Sequence, residues 1–235
     1  MSKISLKHSG GNVVSLNSPT SAPTSADVAF KLPNQDGSAS QAIITDGSGN
    51  LSFGSGFNPS SNVVLEQFLT FCDGTAVSTK KGSVSIENVT AVMNLTTTHT
   101  DVTGAGITYE PPDNTTLVIY KFIFYTSTVD NSGILHYKLL IDNTEITGSR
   151  TTFRHGTAAD GEEVAFEWPI PIGGSASNVS GRQATWSGTK VLKLQAREFG
   201  SSFDASIHSM SMWDGNSSAN IIKPPLLGIT AIGSA

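Results

Sequence analysis

The chain has 235 residues, 37% of them hydrophobic and 14% charged, with one cysteine and a formal net charge of −5. This length supplies one sizeable core, or one domain with an appendage. We expect no nucleic-acid ligand, no membrane insertion and no internal disulfide, because the sequence lacks a dense basic cluster, a bilayer-length apolar run and a second cysteine.

Residues 1–57 differ in composition from the rest of the chain, being rich in Ser, Gly, Pro and Asn. The dipeptides Asp36-Gly37 and Asp46-Gly47 are turn signals on either side of the short apolar run 42–45. An isolated hairpin is marginal in water. We therefore predict an extended segment with a few hairpins, ordered by other chains. The sequence Asp-Gly-Ser-Gly-Asn at 46–50 suits calcium ligation or a tight turn, and we favour the turn.

Residues 58–235 contain strand-like runs separated by turn residues. The Asp142-Asn143 dipeptide begins a turn, after which residues 145–147 resume a strand. Eight to ten strands at this spacing predict an all-β, antiparallel β-sandwich or jelly roll without α-helices. In chain order the runs are Val63–Phe71, Val84–Leu95, Leu117–Thr126, Ile134–Asp142, Glu163–Trp168, Val191–Arg197, Ala205–Trp213 and Leu226–Ala235.

The sequence contains few of the residue patterns that are typical of an enzyme. No histidine sits at a metal-ligand spacing and no Gly-x-Ser-x-Gly elbow occurs. His136 and His208 lie in predicted strands and are interpreted as structural, and Cys72 as a small buried side chain. A carboxylate pair brought together by folding leaves a glycosidase open. We rank an enzyme below a binding module, and expect no metal, no other cofactor and no catalytic residue.

Aromatic residues on loops are candidates for contacts with sugars. Trp168 and Trp186 flank a Gly/Ser loop, and Trp213 ends a predicted strand. The alternative is that these rings close the ends of the sandwich, which we favour for Trp168 and Trp213. Trp186 stays open as a candidate surface-binding residue, together with the loop residue His155.

The first quarter of the chain resembles a segment found at the start of structural proteins of marine tailed bacteriophages, cyanophages in particular. The resemblance rests on Lys-Leu-Pro at 31–33, Asp-Gly-Ser at 36–38 and Thr-Asp-Gly-Ser-Gly-Asn-Leu-Ser-Phe at 45–53, in that order. It implies that residues 1–57 attach the chain to tail, collar or capsid proteins of a virion assembled in the host cytoplasm. The implied attachment residues are Lys31, Leu32, Pro33, Asp36, Gly37, Thr45, Asp46 and Gly47.

Residues 58–235 are similar in pattern to trimeric jelly rolls of the complement-globular-head and tumour-necrosis-factor type. The cues are strand order and turn residues in the segments 109–126, 134–149, 190–199, 205–215 and 224–233. This similarity implies a homotrimer in which the run 117–126 serves the core with one face and the threefold interface with the other. The candidate residues for these two roles are Leu117, Ile119, Tyr120, Phe122 and Phe124.

Together these resemblances imply a non-enzymatic phage virion protein: a trimeric tail fibre, spike or collar-type appendage. A glycan or protein of the host cell surface is its further expected partner. The chain has no heptad coiled coil, which favours a compact spike over a long fibre. A capsid decoration protein that stabilises the shell is the alternative, and a glycan-binding or glycan-degrading tail protein is less favoured.

Overall fold

The computed structural model describes residues 3–7, 10–11, 13–17, 31–38, 41–48, 50–54, 62–128, 133–154, 161–202, 205–214 and 217–234. The chain divides into two units, Met1–Asn58 and Pro59–Ala235, and each is described by itself. The described residues form strands and one 3-10 turn at Thr147–Ser149, with no α-helix among them, which confirms the all-β prediction. This described part contains no helix that could cross a membrane.

The first unit contains two antiparallel strand pairs. The strands are β1 (Lys3–Lys7), β2 (Val13–Asn17), β3 (Ala42–Thr45) and β4 (Leu51–Gly54). β1 pairs with β2, and β3 pairs with β4 across the turn that begins at Asp46. Lys31 adds a parallel bridge to Asn50, because its carbonyl oxygen accepts the Leu51 N–H at 2.9 Å.

The second unit contains sixteen described strands. They are β5 (Val63–Phe71), β6 (Val77–Thr79), β7 (Gly82–Val84), β8 (Met93–Asn94), β9 (Thr100–Asp101), β10 (Ile107–Tyr109), β11 (Thr115–Thr128), β12 (Ile134–Ile141), β13 (Thr144–Glu145), β14 (Thr151–Arg154), β15 (Gly161–Pro171), β16 (Lys190–Glu198), β17 (Ala205–Ile207), β18 (Ser209–Asp214), β19 (Ser217–Ile222) and β20 (Leu226–Gly233).

Eight of these strands form the two sheets of a jelly roll. The first sheet has the order β5-β20-β11-β15, and the second has the order β10-β16-β12-β14. Counted along the chain, the first sheet holds strands one, eight, three and six, and the second holds two, seven, four and five. This is the strand order of a jelly roll, so the predicted fold class is confirmed. The short β17 extends the first sheet, and β9 and β13 extend the second.

The core lies between the two sheets and is built around β11. Val118, Tyr120, Phe122 and Phe124 are at most 1% exposed and alternate with residues that face outward. The Phe124 ring meets Tyr137 of the second sheet edge-on, with ring centroids 5.9 Å apart. Because β11 pairs with β20 on one side and β15 on the other, its backbone is held along most of its length.

β15 is an edge strand of the first sheet: among the described strands it pairs only with β11. Ile172 donates its N–H to Thr116 at 2.8 Å, so the strand's even-numbered residues point their backbone groups at β11. The odd-numbered Pro169 and Pro171 therefore point away from β11 and remove no ladder bond. At Pro171 this outer side is covered, because the Pro171 carbonyl oxygen accepts the Gln183 N–H at 2.9 Å, whereas Pro169 lies on the open part of the edge.

Several sequence predictions are confirmed. The strand Val63–Phe71 has the predicted bounds, and the run 117–126 lies within the longer β11. Asp142 and Asn143 both have positive φ, +48° and +65°, which is the geometry of a two-residue turn between β12 and β13.

The prediction of one strand over Val84–Leu95 is wrong. β7 ends at Val84, and only Met93–Asn94 is a strand thereafter. Between them the chain crosses the sandwich with Ile86 and Val89 buried individually, and Val89 donates its N–H to the Cys72 carbonyl at 2.9 Å. The alternating apolar residues of this segment are therefore each buried at a separate position in the core, and the segment pairs with no strand among the described residues.

The single strand predicted over Ala205–Trp213 is also wrong. His208 has a φ of +67°, which strand backbone does not adopt, and it separates β17 from β18. β17 pairs with the end of β11, whereas β18 pairs with β19 as a separate hairpin.

Candidate functional site

The predicted attachment residues of the first unit lie around one small turn. The Asp46 carboxylate accepts the N–H groups of Ser48 at 2.8 Å and Asn50 at 3.2 Å, and the Asn50 side-chain amide at 2.5 Å. The Asn50 side-chain bond is the first cause that lowers the pKa of Asp46. Gly47 has a φ of +80°. The carboxylate is therefore engaged by its own turn, which accords with the tight-turn interpretation.

The other motif residues support the same hairpin or lie exposed beside it. Gly37 faces the Phe53 ring so closely that a Cβ there would lie 2.5 Å from the ring edge. Leu32 is 78% exposed, and Ile43 and Ile44 of β3 are exposed as well. The Lys31–Asn50 bridge thus brings the Lys-Leu-Pro motif at 31–33 next to the motif at 45–53. Their role in attachment stays a prediction.

No group of three or more His, Cys, Asp or Glu side chains that could hold a metal occurs in the described part of the chain. Cys72 is buried, its Sγ lies 3.3 Å from the Gly104 carbonyl oxygen, and burial raises its pKa to about 12. A thiol with that pKa is not a nucleophile at neutral pH.

An open groove of about 770 Å³ borders β7, β10 and β16. Both carboxylates that line the groove accept hydrogen bonds: Glu87 from the Gly104 N–H at 2.6 Å, and Asp101 from the Lys193 ammonium group at 2.8 Å. The rest of the lining is mainly apolar side chains, hydroxyl groups and glycine backbone. Each of the two carboxylates in this groove thus has a structural partner.

Trp186 is packed against the core. Its ring lies edge-on to Tyr109 with centroids 6.5 Å apart, and its buried Nε1 has no hydrogen-bond partner among the described residues. Trp168 also packs on the core and donates its Nε1–H to the Ser180 carbonyl at 3.0 Å. His155 lies outside the described residues, as does the side chain of Trp213. Contacts of Trp186 and His155 with a ligand stay predictions.

The candidate strand residues of β11 separate into two sets. Tyr120, Phe122 and Phe124 face the core, and the Tyr120 hydroxyl donates to the Ala105 carbonyl at 2.7 Å. Leu117 and Ile119 are half-buried and lie on the opposite side of the strand. The core role predicted for this strand thus belongs to the first set, and only the second set faces outward.

The outward side of the first sheet carries apolar rows that cross neighbouring strands. One row joins Phe71, Leu226 and Ile123 on β5, β20 and β11. A second row joins Val64, Ile232 and Leu117, because an irregularity in β5 brings Val64 onto the same side. We call this surface the apolar face; its members are Val64, Leu69, Phe71, Leu117, Ile119, Ile123, Leu226 and Ile232.

Polar residues occupy the middle of the apolar face. Lys121 lies 3.4 Å from Glu167 of β15, and the Gln67 amide donates to the Thr230 hydroxyl at 3.2 Å. In each pair the two polar groups are bonded to each other within the sheet. The side chains of Val64, Leu69 and Phe71, in contrast, are 53%, 52% and 57% exposed. Large apolar side chains exposed together on one sheet are typical of an interaction surface.

His208 is a fully buried histidine at the break between β17 and β18. Its Nε2 lies 2.9 Å from the Thr103 carbonyl oxygen, and its Nδ1 has no hydrogen-bond partner within the residues that the structure describes. Burial lowers the pKa of this histidine to about 4. The native state therefore holds the ring neutral, with Nε2–H donating to Thr103. The unfolded chain takes up a proton on this ring near its ordinary pKa of 6.5.

We expect His208 to destabilise the protein as the pH falls from 6.5 to 4. In that window the unfolded state binds more protons than the native state, which lowers the free energy of unfolding by up to about 2–3 kcal/mol. His208→Asn removes the titrating group and tolerates positive φ. Urea unfolding at pH 7 and pH 4.5 should show a smaller loss in the variant. Equal losses would contradict the assignment, since His99 and His136 titrate in both proteins.

Comparisons with known proteins give little guidance. The chain matches no protein-family model and no curated protein. Among solved structures, it is similar to one described as "Structure of infectious bursal disease virus Gx strain", at 12% identity. That alignment covers 83% of this chain and 67% of the other, with a TM-score of 0.24. A likeness this slight carries no inference about fold or function.

Proposed function

We propose that this protein is a non-enzymatic structural component of a bacteriophage particle, and that it assembles as a homotrimer through the apolar face. The observation that carries the proposal is that face, on which Val64, Leu69 and Phe71 stay more than half exposed in the single chain. The phage assignment draws on the motifs of residues 31–53. Residues 1–57 would then attach the trimer to tail, collar or capsid proteins.

The apolar face has the properties of a surface that becomes covered. Burying apolar area contributes about 25 cal/mol per Å², so leaving three large side chains in water forgoes several kcal/mol. The face lies on the backbone ladders of β5, β20 and β11, so it is pre-formed and little conformational entropy is lost on association. The number three follows from the resemblance to trimeric jelly rolls, since any closed symmetric assembly would cover the face.

A compact, attached trimer also gives the first unit a physical rationale. Leu32, Ile43 and Ile44 are exposed in the described part of this unit, which contains too few strands to bury them. Three copies, or a virion protein, can supply the partners that one chain lacks. This segment is the proposed anchor, and the jelly roll is the part proposed to face the host.

The first test is the mass of the purified full-length chain by light scattering after size exclusion. One chain has a mass of 24.6 kDa, so a trimer has about 74 kDa. A mass near the trimer value supports the assembly, and a monomer at micromolar concentration overturns it. Mass spectrometry of purified particles of the encoding virus tests the location, which is overturned if the chain is not in the particles.

A further inference from the structure

The outward side of the second sheet is basic on a chain that is acidic overall. Its cations lie on three neighbouring strands and just before one of them. They are Lys138 on β12, Arg154 on β14, Lys193 and Arg197 on β16, and Arg150, which immediately precedes β14. We call this surface the basic face. Its carboxylates are Asp101 and Glu145, so five cations and two anions give it a formal charge of +3, whereas the whole chain carries −5.

The sheet register places these groups side by side. His136 lies opposite Arg197 on one neighbouring strand and opposite Thr152 on the other. Lys138 lies opposite Gln195, which in turn pairs with Asp101. The residues between them, Tyr137 and Leu139, are buried in the core. The polar side chains therefore share one side of the sheet and are spaced at strand separation, close to 5 Å.

Two carboxylates do not neutralise this surface. Glu145 accepts both Lys138 at 2.8 Å and Arg150 at 2.5 Å, and the same two bonds lower its pKa to about 2. Asp101 accepts both Lys193 and Gln195 at 2.8 Å. Arg154 and Arg197 make no ion pair with any described residue.

Arg197 is the central uncompensated cation. Its Nε is buried and has no hydrogen-bond partner in the described part of the chain, and its Nη1 lies 3.5 Å from the Thr97 carbonyl oxygen. His99 and His136 lie beside it, with His99 Nε2 2.8 Å from His136 Nδ1. Burial, followed by the charge of Lys138, lowers the pKa of His99 to about 4. The cations Lys138 and Arg197 beside this histidine pair, rather than its burial, are what an anion would interact with.

We propose that the basic face binds an acidic polysaccharide, a sugar chain bearing carboxylate or sulfate groups. This inference rests on the proposal that the jelly roll faces the host, and it names the chemistry of the partner that the jelly roll would meet there. Carboxylate and sulfate groups match the guanidinium donors of Arg154 and Arg197, and Thr152 and Gln195 add neutral polar contacts beside them. The ligand would extend across β14, β12 and β16.

Nucleic acid fits the basic face less well. Duplex DNA carries about one charge per 1.7 Å of helix axis, and a protein of net charge −5 with one small basic surface is poorly matched to it. Single-stranded nucleic acid binds by stacking its bases on aromatic rings. The aromatic residues of β12 and β14, Tyr137 and Phe153, pack toward the core.

The test uses the full-length protein and four soluble probes: alginate, dextran sulfate, neutral dextran and duplex DNA of similar length. We expect binding to both acidic polymers, weakened by salt, and none to neutral dextran. Arg154→Gln, which removes an exposed cation, should weaken binding about threefold, and Arg154→Gln with Arg197→Gln about tenfold. Lys80→Gln is the matched control, because Lys80 is exposed and lies outside the basic face. It should bind as the wild type does.

Three results would overturn the proposal: no binding to either acidic polymer, an equal loss in Lys80→Gln and Arg154→Gln, or tighter binding to duplex DNA of similar length. Light scattering on the same samples reports assembly separately. A monomer that binds acidic polymers keeps this proposal and rejects the trimer. A trimer that does not bind them rejects this proposal and keeps the assembly.

Discussion

Replacing Phe122 with alanine should lower the free energy of unfolding of the jelly roll by about 4 kcal/mol. Phe122 is fully buried in β11 and stacks on Phe124 with ring centroids 5.2 Å apart. Its strand is paired on both sides at this position, with Leu227 and Phe166 as register partners. Because the backbone is held from both sides, the cavity left by the ring cannot collapse easily. Urea unfolding of the full chain at pH 7 measures the loss.

Phe199→Ala is the matched control for this substitution. It deletes the same side chain at a position that is 65% exposed, so we expect a loss of less than about 1 kcal/mol. A loss at Phe122 that is no larger than the loss at Phe199 would mean that β11 is not the centre of the core. If Phe122→Ala does not fold, Phe122→Leu, with a smaller cavity, gives the comparison instead.

The substitution Ile119→Asp should convert the assembled protein to a monomer that keeps its fold. Ile119 lies outward on the apolar face, between Thr230 of β20 and Pro169 of β15. In a single chain the carboxylate stays in contact with water, whereas in the proposed assembly it is buried without a partner. That burial should raise the dissociation constant at least about a hundredfold. Light scattering reports the mass, and circular dichroism reports the fold.

Ser78→Asp is the control for charge alone, because Ser78 is an exposed strand residue of β6, outside the apolar face. It should leave the mass of the assembly unchanged. A native oligomer that survives Ile119→Asp would show that the apolar face is not the contact surface. Loss of the fold in the monomer would instead show that Ile119 belongs to the core.

The elements that could be predicted are those whose own residues show the pattern of a strand or a turn. β11 and β16 alternate clearly between buried and half-exposed residues, and Asp142-Asn143 marks a hairpin by its local chemistry. The errors have local causes. Positive φ at His208 leaves no trace in an alternating pattern, and Ile86 and Val89 show the spacing of a strand while being buried one at a time.

The basic face and the apolar face were harder to predict from the sequence, because they form only when strands pair in a particular register. Lys138, Arg154 and Arg197 belong to three strands and become neighbours only when β12 pairs with β14 and β16. No short segment contains the basic face, so the sequence was interpreted as lacking a basic patch. The apolar face was only partly foreseen: the alternation of β11 predicted a second apolar side, but the exposed residues of β5 were not singled out.

The outer edge of β15, with Pro169 on its open part, sets a limit on how copies of this protein can join. A strand edge with open N–H groups can recruit another strand and continue without end, as in fibrils. Pro169 withholds one of those donors, the Gln183 N–H already occupies the edge at Pro171, and Glu163 adds repulsion between like edges. Many copies crowded together could then associate through side-chain surfaces but not through backbone ladders along this edge. Here a closed oligomer is favoured over a sheet that grows from copy to copy.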